Sequence, residues 1–490
     1  MFEASHPFAL FDYFRVPYEV RPLQHAEGYI DAPISVCRLC PLERSDRAQR
    51  SLLWLGAGAY STTPRPTYRL GRYQLQGCTL FGHVAPDSAV STMLQQLGHS
   101  WRPVDPILDA DARPVASIWM DRDGNVFLPF DPGEVMNQFW SENYQNIERS
   151  PLIAAGRAVM LRGYYLARPA MSRHLQLRLR RAFTRIQARA TFPRWPIEDS
   201  LHDLYKWLLV LVAELAGRPV PYIDLWPGDR SWALVLTHDV ETSTGYRDMH
   251  LLRDIERELG YSSSWNFVAL RYHVHAETVR ALQEEGCEIG VHGLLHDGHD
   301  LGPTRLMKKR LPAMRAYAAQ WNAVGFRSPA TQRAWELMPK LGFEYDSSYS
   351  DTDPYEPQPG GCCTYLPYFN ENMVELPITL PQDHTMFFVL QESDADHWLH
   401  KAQQLRARHA MVLVLTHPDY ARDARVTDGY RRLLNTFQGD DTVWHALPKD
   451  VAAWWRKRSA STICHDGESW TIEGPASIDG RVRFATADGF

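Results

Sequence analysis

From Ser231 onward, short apolar runs alternate with amphipathic stretches, and this alternation limits the possible folds more than any other feature of the chain. The runs are "WALVLTHD", "SSWNFVAL", "CEIGVHG", "VGFRSP", "FEYDSS", "NMVELPI" and "MVLVLTHP". Between them lie "DMHLLRDIERELG", "HAETVRALQEEG", "TRLMKKRLPAMRAYAAQWN" and "DADHWLHKAQQLRARH", which carry helical patterning. Strands alternating with helices make βα units, and βα units make a parallel sheet. Seven such runs predict an α/β fold with a closed or nearly closed barrel of the TIM type, over residues 221–460.

A chain of 490 residues exceeds what one core usually supports, so further domains are expected. Residues 1–220 read as a separate N-terminal accessory domain of mixed α+β character. Residues 461–490 read as a C-terminal β-hairpin tail, with alternation around Trp470/Ile472 and Val482/Phe484. Within the first domain, "SIWMDRDGNVFLPFD" predicts a hairpin. Its Asp121, Asp123 and Asn125 imitate a calcium loop, but Val126 occupies the position that must be glycine, which excludes calcium. "GAGAY", Gly56 to Tyr60, lacks the third glycine of a dinucleotide fingerprint. "RHLQLRLRRAFTRIQARA" places Leu175, Leu179, Ala182, Phe183 and Ile186 on one helix face, with arginines around the rest as a solvated surface. The tryptophans Trp54, Trp101, Trp119 and Trp140 are expected in the core.

A net charge of -6 offers no cationic field for phosphate backbones, so nucleic acid is not an expected partner. The longest apolar run, Trp207 to Gly217, is about half the ~20 residues that a membrane span needs, so it reads as a buried helix and no membrane span is expected. The opening segment shows neither a basic n-region nor an apolar h-region, and a cytoplasmic location is expected. Seven cysteines is an odd number, and Cys362 and Cys363 are adjacent; free thiols are expected, and the lone Cys37–Cys40 pair lacks the further ligands of a zinc site.

In a βα barrel the loops after the strands converge on one rim, and ionisable residues gather at those points here. The first strand ends in His238, Asp239 and Glu241. The third ends in His292 and His296, the fourth in Arg327, the fifth in Asp346, the seventh in His417. His292 and His296 are spaced i, i+4, which on a helical turn lets both imidazoles reach one ion. Two histidines with a strand-end carboxylate form a donor set that suits zinc. Asp239 is the candidate base, His417 the candidate acid, and Arg327 with Asp346 either a structural ion pair or the device that orients the base. His238 reads as a loop-packing residue.

The ordered series "LTHDVE", "EIGVHGLLH", "GFRSPA", "YDSSY" and "LVLTHP" resembles the motifs of the polysaccharide deacetylase superfamily, the NodB-homology metal-dependent carbohydrate esterases, over Trp232 to Tyr420. The resemblance implies a distorted (β/α)7 TIM-like barrel, a divalent metal, usually zinc, and hydrolysis of an N-acetyl group from a sugar or oligosaccharide. Position by position it implies Asp239 as base, His292 and His296 as ligands, Arg327 as base-orienting arginine, His417 as acid, and Asp346 as the aspartate of the fourth motif. Two positions depart from the pattern. Val240 stands where the family has a second, metal-binding aspartate, so the carboxylate ligand is Glu241 or Asp239 itself. Gly293 stands where the family has a serine or threonine. The competing expectations are a non-catalytic barrel that binds a glycan or serves as a scaffold, and an amidase acting on a formyl group or cyclic amide.

Overall fold

The computed structural model describes residues 8–20, 36–41, 50–56, 69–96, 100–148, 173–487 and 489. The chain divides into two compact units: Met1–Gly156 with Asp199–Asp224 and Arg458–Phe490, and Arg157–Glu198 with Leu225–Lys457. The units differ from the three contiguous blocks read from sequence: Val482–Ala485 pairs with Val220–Ile223, and Arg157–Glu198 groups with Leu225–Lys457.

The second unit holds all seven expected strand segments, as β1 (Trp232–Val240), β2 (Ser264–Phe267), β3 (Glu288–Val291), β4 (Gly325–Phe326), β5 (Tyr345–Asp346), β6 (Met373–Glu375) and β7 (Met411–Thr416). They form one parallel sheet in the order β6-β5-β4-β3-β2-β1-β7. Every residue of β1 is buried, as expected of a strand covered on both faces, and this accounts for its continuous apolar run. The sheet is curled: backbone N–H groups of Thr379 and Leu380, just after β6, donate to the Leu413 carbonyl on β7 at 3.3 and 3.2 Å. β4 and β5 are only two residues long and pack tightly, since a side chain at Gly325 would meet the Tyr345 ring at 1.9 Å.

The connecting helices include α1 (His250–Leu259), α2 (Ala276–Glu284), α3 (Thr304–Trp321), α4 (Asp396–Ala407) and α5 (Ala424–Phe437). Gly260 and Asn322 end α1 and α3 in left-handed conformation, satisfying terminal carbonyls. The basic helix Arg173–Gln187 belongs to this unit, and the described side chains of the face expected to be buried are exposed. Leu179 and Ile186 are exposed at 42% and 61%. The polar edge faces inward instead: Arg180 donates to the Tyr355 carbonyl, Arg181 Nε to the Phe388 carbonyl at 3.0 Å, and Gln187 Nε2 to the Glu356 carbonyl at 3.2 Å. Hydrogen bonds to loop carbonyls, invisible in an apolar period, set this helix's orientation.

In the first unit, one sheet runs in the order Tyr18–Val20, Val36–Pro41, Leu52–Leu55, Val126–Leu128, Pro114–Met120, Arg102–Leu108, Arg69–Leu75, Cys78–Val84. The expected hairpin is present, and its turn consumes the calcium-like residues. Asp121 Oδ1 accepts from the Asp123 and Asn125 backbones, and Oδ2 from the Asn125 side chain. Trp54, Trp119 and Trp140 are buried, and Trp101 packs on the core cluster around Phe127. The helix Ser200–Ala216 buries the apolar run from Trp207, and no described helix is long and apolar enough to cross a membrane.

The expected C-terminal hairpin is corrected. Trp470–Glu473 pairs with Thr462–His465, and Val482–Ala485 pairs with Val220–Ile223. The alternation around Val482 and Phe484 marks a strand but not its partner, which lies more than two hundred residues earlier. Among the described residues Cys78, Cys287 and Cys464 are free thiols, and the Cys362 Sγ lies 3.3 Å from the Ser350 carbonyl. The Cys37 and Cys40 side chains and most of the "GAGAY" segment lie outside the described residues.

Candidate active site

Successive side chains of a strand point to opposite faces. Along the end of β1, Thr237 and Asp239 therefore share the inner face, and Glu241, one residue past the strand, continues it. His238 and Val240 face the helices. Val240 is fully buried on the face opposite Asp239 and Glu241, away from the donor group of Glu241, His292 and His296. His238 is a strand residue rather than a loop residue, with Nε2 2.7 Å from Glu256 on α1 and Nδ1 2.7 Å from Thr416 on β7.

Asp239, Asn266 and Gly290 lie in register across β1, β2 and β3. Asn266 Nδ2 donates to Asp239 Oδ1 at 2.8 Å, and a side chain at Gly290 would sit 1.9 Å from the Asn266 oxygen. Arg327 Nη1 donates to the same Asp239 oxygen at 3.2 Å and to Thr237 Oγ1 at 2.7 Å. Its Nε and Nη2 are fixed by the Ser347 carbonyl and hydroxyl, each at 2.7 Å. Burial favours the neutral acid at Asp239, but His292, Arg327, His417 and Asn266 outweigh it and hold the carboxyl below its ordinary range. Arg327 and Asn266 act at every relevant pH, so Asp239 is an ionised carboxylate with Oδ1 occupied on two sides.

The expected Arg327–Asp346 pair does not form: Arg327 pairs with Asp239. Asp346 lies behind it, with Oδ1 accepting from Ser348 Oγ at 2.7 Å. Glu375 on β6 lies alongside, with Oε1 accepting from the Ser348 and Tyr349 backbones at 3.1 and 3.0 Å. Burial raises the Asp346 carboxyl to about 6 against the pull of Glu375 and Ser348, and burial with the Asp346 charge raises Glu375 well above the usual carboxylate range. Asp346 thus buttresses the segment that grips Arg327.

His292 and His296 come together, but on a loop of bends rather than a helical turn. Gly293 (φ +69°) and His296 (φ +56°) turn the chain, and the two rings lie 5.2 Å apart. A side chain at Gly293 would meet Asp300 Oδ2 at 2.2 Å, and that oxygen accepts from the Leu294 backbone at 3.1 Å. Asp300 and Asp297 are both gripped by Arg310 of α3, at 2.8 and 2.7 Å. A carboxylate brought in from the loop thereby braces the histidines where the resembling family has a hydroxyl.

The His292 Nδ1 lies 3.1 Å from the Arg327 carbonyl, which fixes Nδ1 as the protonated nitrogen. Its Nε2 is buried without a hydrogen-bond partner. Burial, the dominant influence, pushes the His292 pKa down to about 4, so the ring is neutral with an unused lone pair. His296 Nε2 lies 2.9 Å from Glu241 Oε1. One donor atom each from Glu241, His292 and His296 falls within 4.8 Å of the others. A buried, unprotonated, unpartnered imidazole nitrogen beside a second imidazole and a carboxylate fits a divalent metal. Asp239 is not in this group; its Oδ1 meets Arg327 and Asn266, and its Oδ2 lies 3.6 Å from the His292 Nδ1.

His417 leaves β7 opposite, and its partner is a residue that motif reasoning missed. Asp383 Oδ1 lies 2.6 Å from His417 Nδ1, and Oδ2 accepts from the His417 backbone at 2.7 Å. Burial opposes a charge on His417, yet the Asp383 contact, with Glu241 and Asp239, overrides it and raises the pKa to about 10. His417 is an imidazolium at neutral pH, with Nε2 left to donate.

No family model matches the chain, and no curated protein matches it. Among solved structures, it is similar to polysaccharide deacetylases and to an allantoinase. A protein from Mycobacterium smegmatis described as a polysaccharide deacetylase is 20% identical over 50% of this chain and 96% of its own, with a TM-score of 0.40. The allantoinase PuuE is 17% identical over 55% of this chain and 98% of its own, with a TM-score of 0.41. One from Pseudomonas aeruginosa PAO1, also described as a polysaccharide deacetylase, is 20% identical over 48% and 94%, with a TM-score of 0.40.

Proposed function

We propose that the chain is a metal-dependent hydrolase that removes an N-acetyl group from a sugar or oligosaccharide. The observation that carries this reading is the unpartnered Nε2 of His292, converging with His296 and Glu241 beside a base held ionised and an acid held protonated. The motif series from Trp232 to Tyr420 supports the choice of N-acetylated sugar.

His292, His296 and Glu241 would hold the ion, and zinc suits two imidazoles and one carboxylate best. When bound, zinc supplies Lewis acidity, polarising an acyl carbonyl and bringing the pKa of water toward ~7. Asp239, with Oδ1 committed to Arg327 and Asn266, takes the water proton on Oδ2. The resulting hydroxide attacks the acyl carbon, and the C–N bond breaks. His417 Nε2 gives its proton to the departing nitrogen, and Asp383 steadies the imidazole through the transfer. The products are a carboxylic acid and the free amine, and the base and acid exchange protons with solvent to reset. A non-catalytic glycan-binding barrel has no need of these two opposed protonation states.

The test is zinc content of the purified protein, beside that of a variant carrying His292→Ala and His296→Ala, followed by acid release from N-acetyl, N-formyl and cyclic-amide substrates. Stoichiometric zinc, lost in the variant, with acetate released from N-acetylated sugars, is expected. No zinc uptake by the wild type overturns the hydrolase reading; release only from formyl or cyclic substrates reassigns the acyl group.

A further inference from the structure

Glu241 stands just beyond β1, where the ladder that fixes Asp239 has ended. A glutamate there needs another hold on its backbone to present a carboxylate repeatably. Two side chains supply it. The Tyr272 hydroxyl donates to the Val240 carbonyl and accepts from the Val268 backbone at 3.2 Å. Asp419 Oδ2 accepts the backbone N–H of Glu241 itself at 2.9 Å.

Asp419 does more than accept that bond. Its Oδ1 accepts a hydrogen bond from the Thr242 hydroxyl, whose oxygen accepts from the Thr244 and Gly245 backbones at 3.2 and 3.4 Å and so begins the short helix Ser243–Asp248. Gly245 leaves room for this: a side chain there would lie 2.1 Å from Asp419 Oδ2. Asp419 also follows His417 by two residues, in the turn Pro418–Tyr420. One carboxylate thus ties the loop bearing the acid to the loop bearing Glu241. It touches the backbone of Glu241 and not its carboxylate.

We infer that Asp419 is a positioning residue for the metal ligand Glu241, holding its backbone where the carboxylate meets His292 and His296. The inference rests on the proposed metal site and deepens it. Partners that orient a ligand are typically worth about 10- to 100-fold in metal affinity. A merely structural aspartate would change the stability of the fold and leave the affinity of the folded protein alone.

The experiment is titration of the metal-free full chain with cobalt(II), followed by ligand-field absorption, for wild type, Asp419→Ala, Asp419→Asn and Glu241→Ala, with circular dichroism confirming the fold. Asp419→Ala is expected to weaken cobalt binding about 10- to 100-fold and to shift the spectrum toward that of Glu241→Ala. Asp419→Asn keeps one acceptor for the Glu241 N–H, so a smaller loss is expected; if Asp419→Ala does not fold, this variant decides. Folded variants that bind cobalt with wild-type affinity and spectrum overturn the inference while leaving the metal site standing. A wild type that binds no cobalt overturns the metal site, and the inference with it.

Discussion

Asp383 grips His417 twice, through the ring Nδ1 at 2.6 Å and through the backbone N–H at 2.7 Å, so one carboxylate sets both the charge and the orientation of the imidazole. Replacing it with asparagine keeps the size and removes the charge. In Asp383→Asn the His417 pKa is expected to fall from about 10 toward the ordinary value near ~6.5, and kcat to fall about 100-fold or more. Because the folded pKa is raised, the stability that the pair confers is full below about 6.5 and disappears as pH rises through about 10. NMR titration of the histidines in metal-free protein, with urea melts at pH 6 and pH 10, measures both effects; an unmoved His417 titration counts against the assignment.

Restoring the resembling family's residues at the two departures is expected to harm this protein. Val240 faces the helices, so Val240→Asp would bury an unpaired carboxylate, costing on the order of 3 kcal/mol or more, and would not tighten metal binding. Gly293→Ser would place a side chain in a left-handed conformation and against Asp300, at about 1–3 kcal/mol for the backbone alone. Urea denaturation and zinc titration of each variant check this. A stable Val240→Asp protein with tighter zinc binding would contradict the face assignment.

The apolar runs that end in ionisable groups revealed the strands and the site-bearing ends, because a buried parallel strand needs unbroken hydrophobicity and its last residues meet the rim. Glu241 is legible as one of two candidate carboxylates, beside Asp239, and alternation two positions on from Asp239 puts it on the same face. The supporting residues were less so. Asp383 lies 34 residues before its partner in a loop with no strand pattern. Asn266 sits inside the run "SSWNFVAL", and Asp300 acts across a bend that exists only because Gly293 and His296 take positive φ. The Arg173–Gln187 helix and the strand Val482–Ala485 depended on long-range partners, which local periodicity does not encode.

Arg327 spends three donor groups on Thr237, Asp239 and Ser347, a fork that an ammonium cannot reproduce. Arg327→Lys is therefore expected to lower kcat about 10- to 100-fold while leaving zinc affinity near wild type, since Asp239 is outside the donor cluster. Steady-state kinetics beside zinc titration separate the two. A parallel loss of zinc would make Asp239 a ligand after all.

Behind that arginine, Asp346 and Glu375 keep two carboxyls in one dry site, where burial works against ionising both. The folded state therefore holds protons there that the unfolded chain has already lost, and stability falls as pH rises from about 4 through about 6. Glu375→Gln offers an amide donor to Asp346 and retains an acceptor for the Ser348 and Tyr349 backbones, with no second charge to suppress. Its stability is expected to decline less over that interval, with Arg327 still seated and kcat within a few-fold of wild type. Glu375→Ala, by contrast, leaves those backbone donors and Asp346 unmatched and is expected to cost on the order of 1–3 kcal/mol. Urea melts of the three proteins at pH 4.5, 5.5 and 6.5 decide the matter, and an unchanged slope in Glu375→Gln would show that the pair shares no proton.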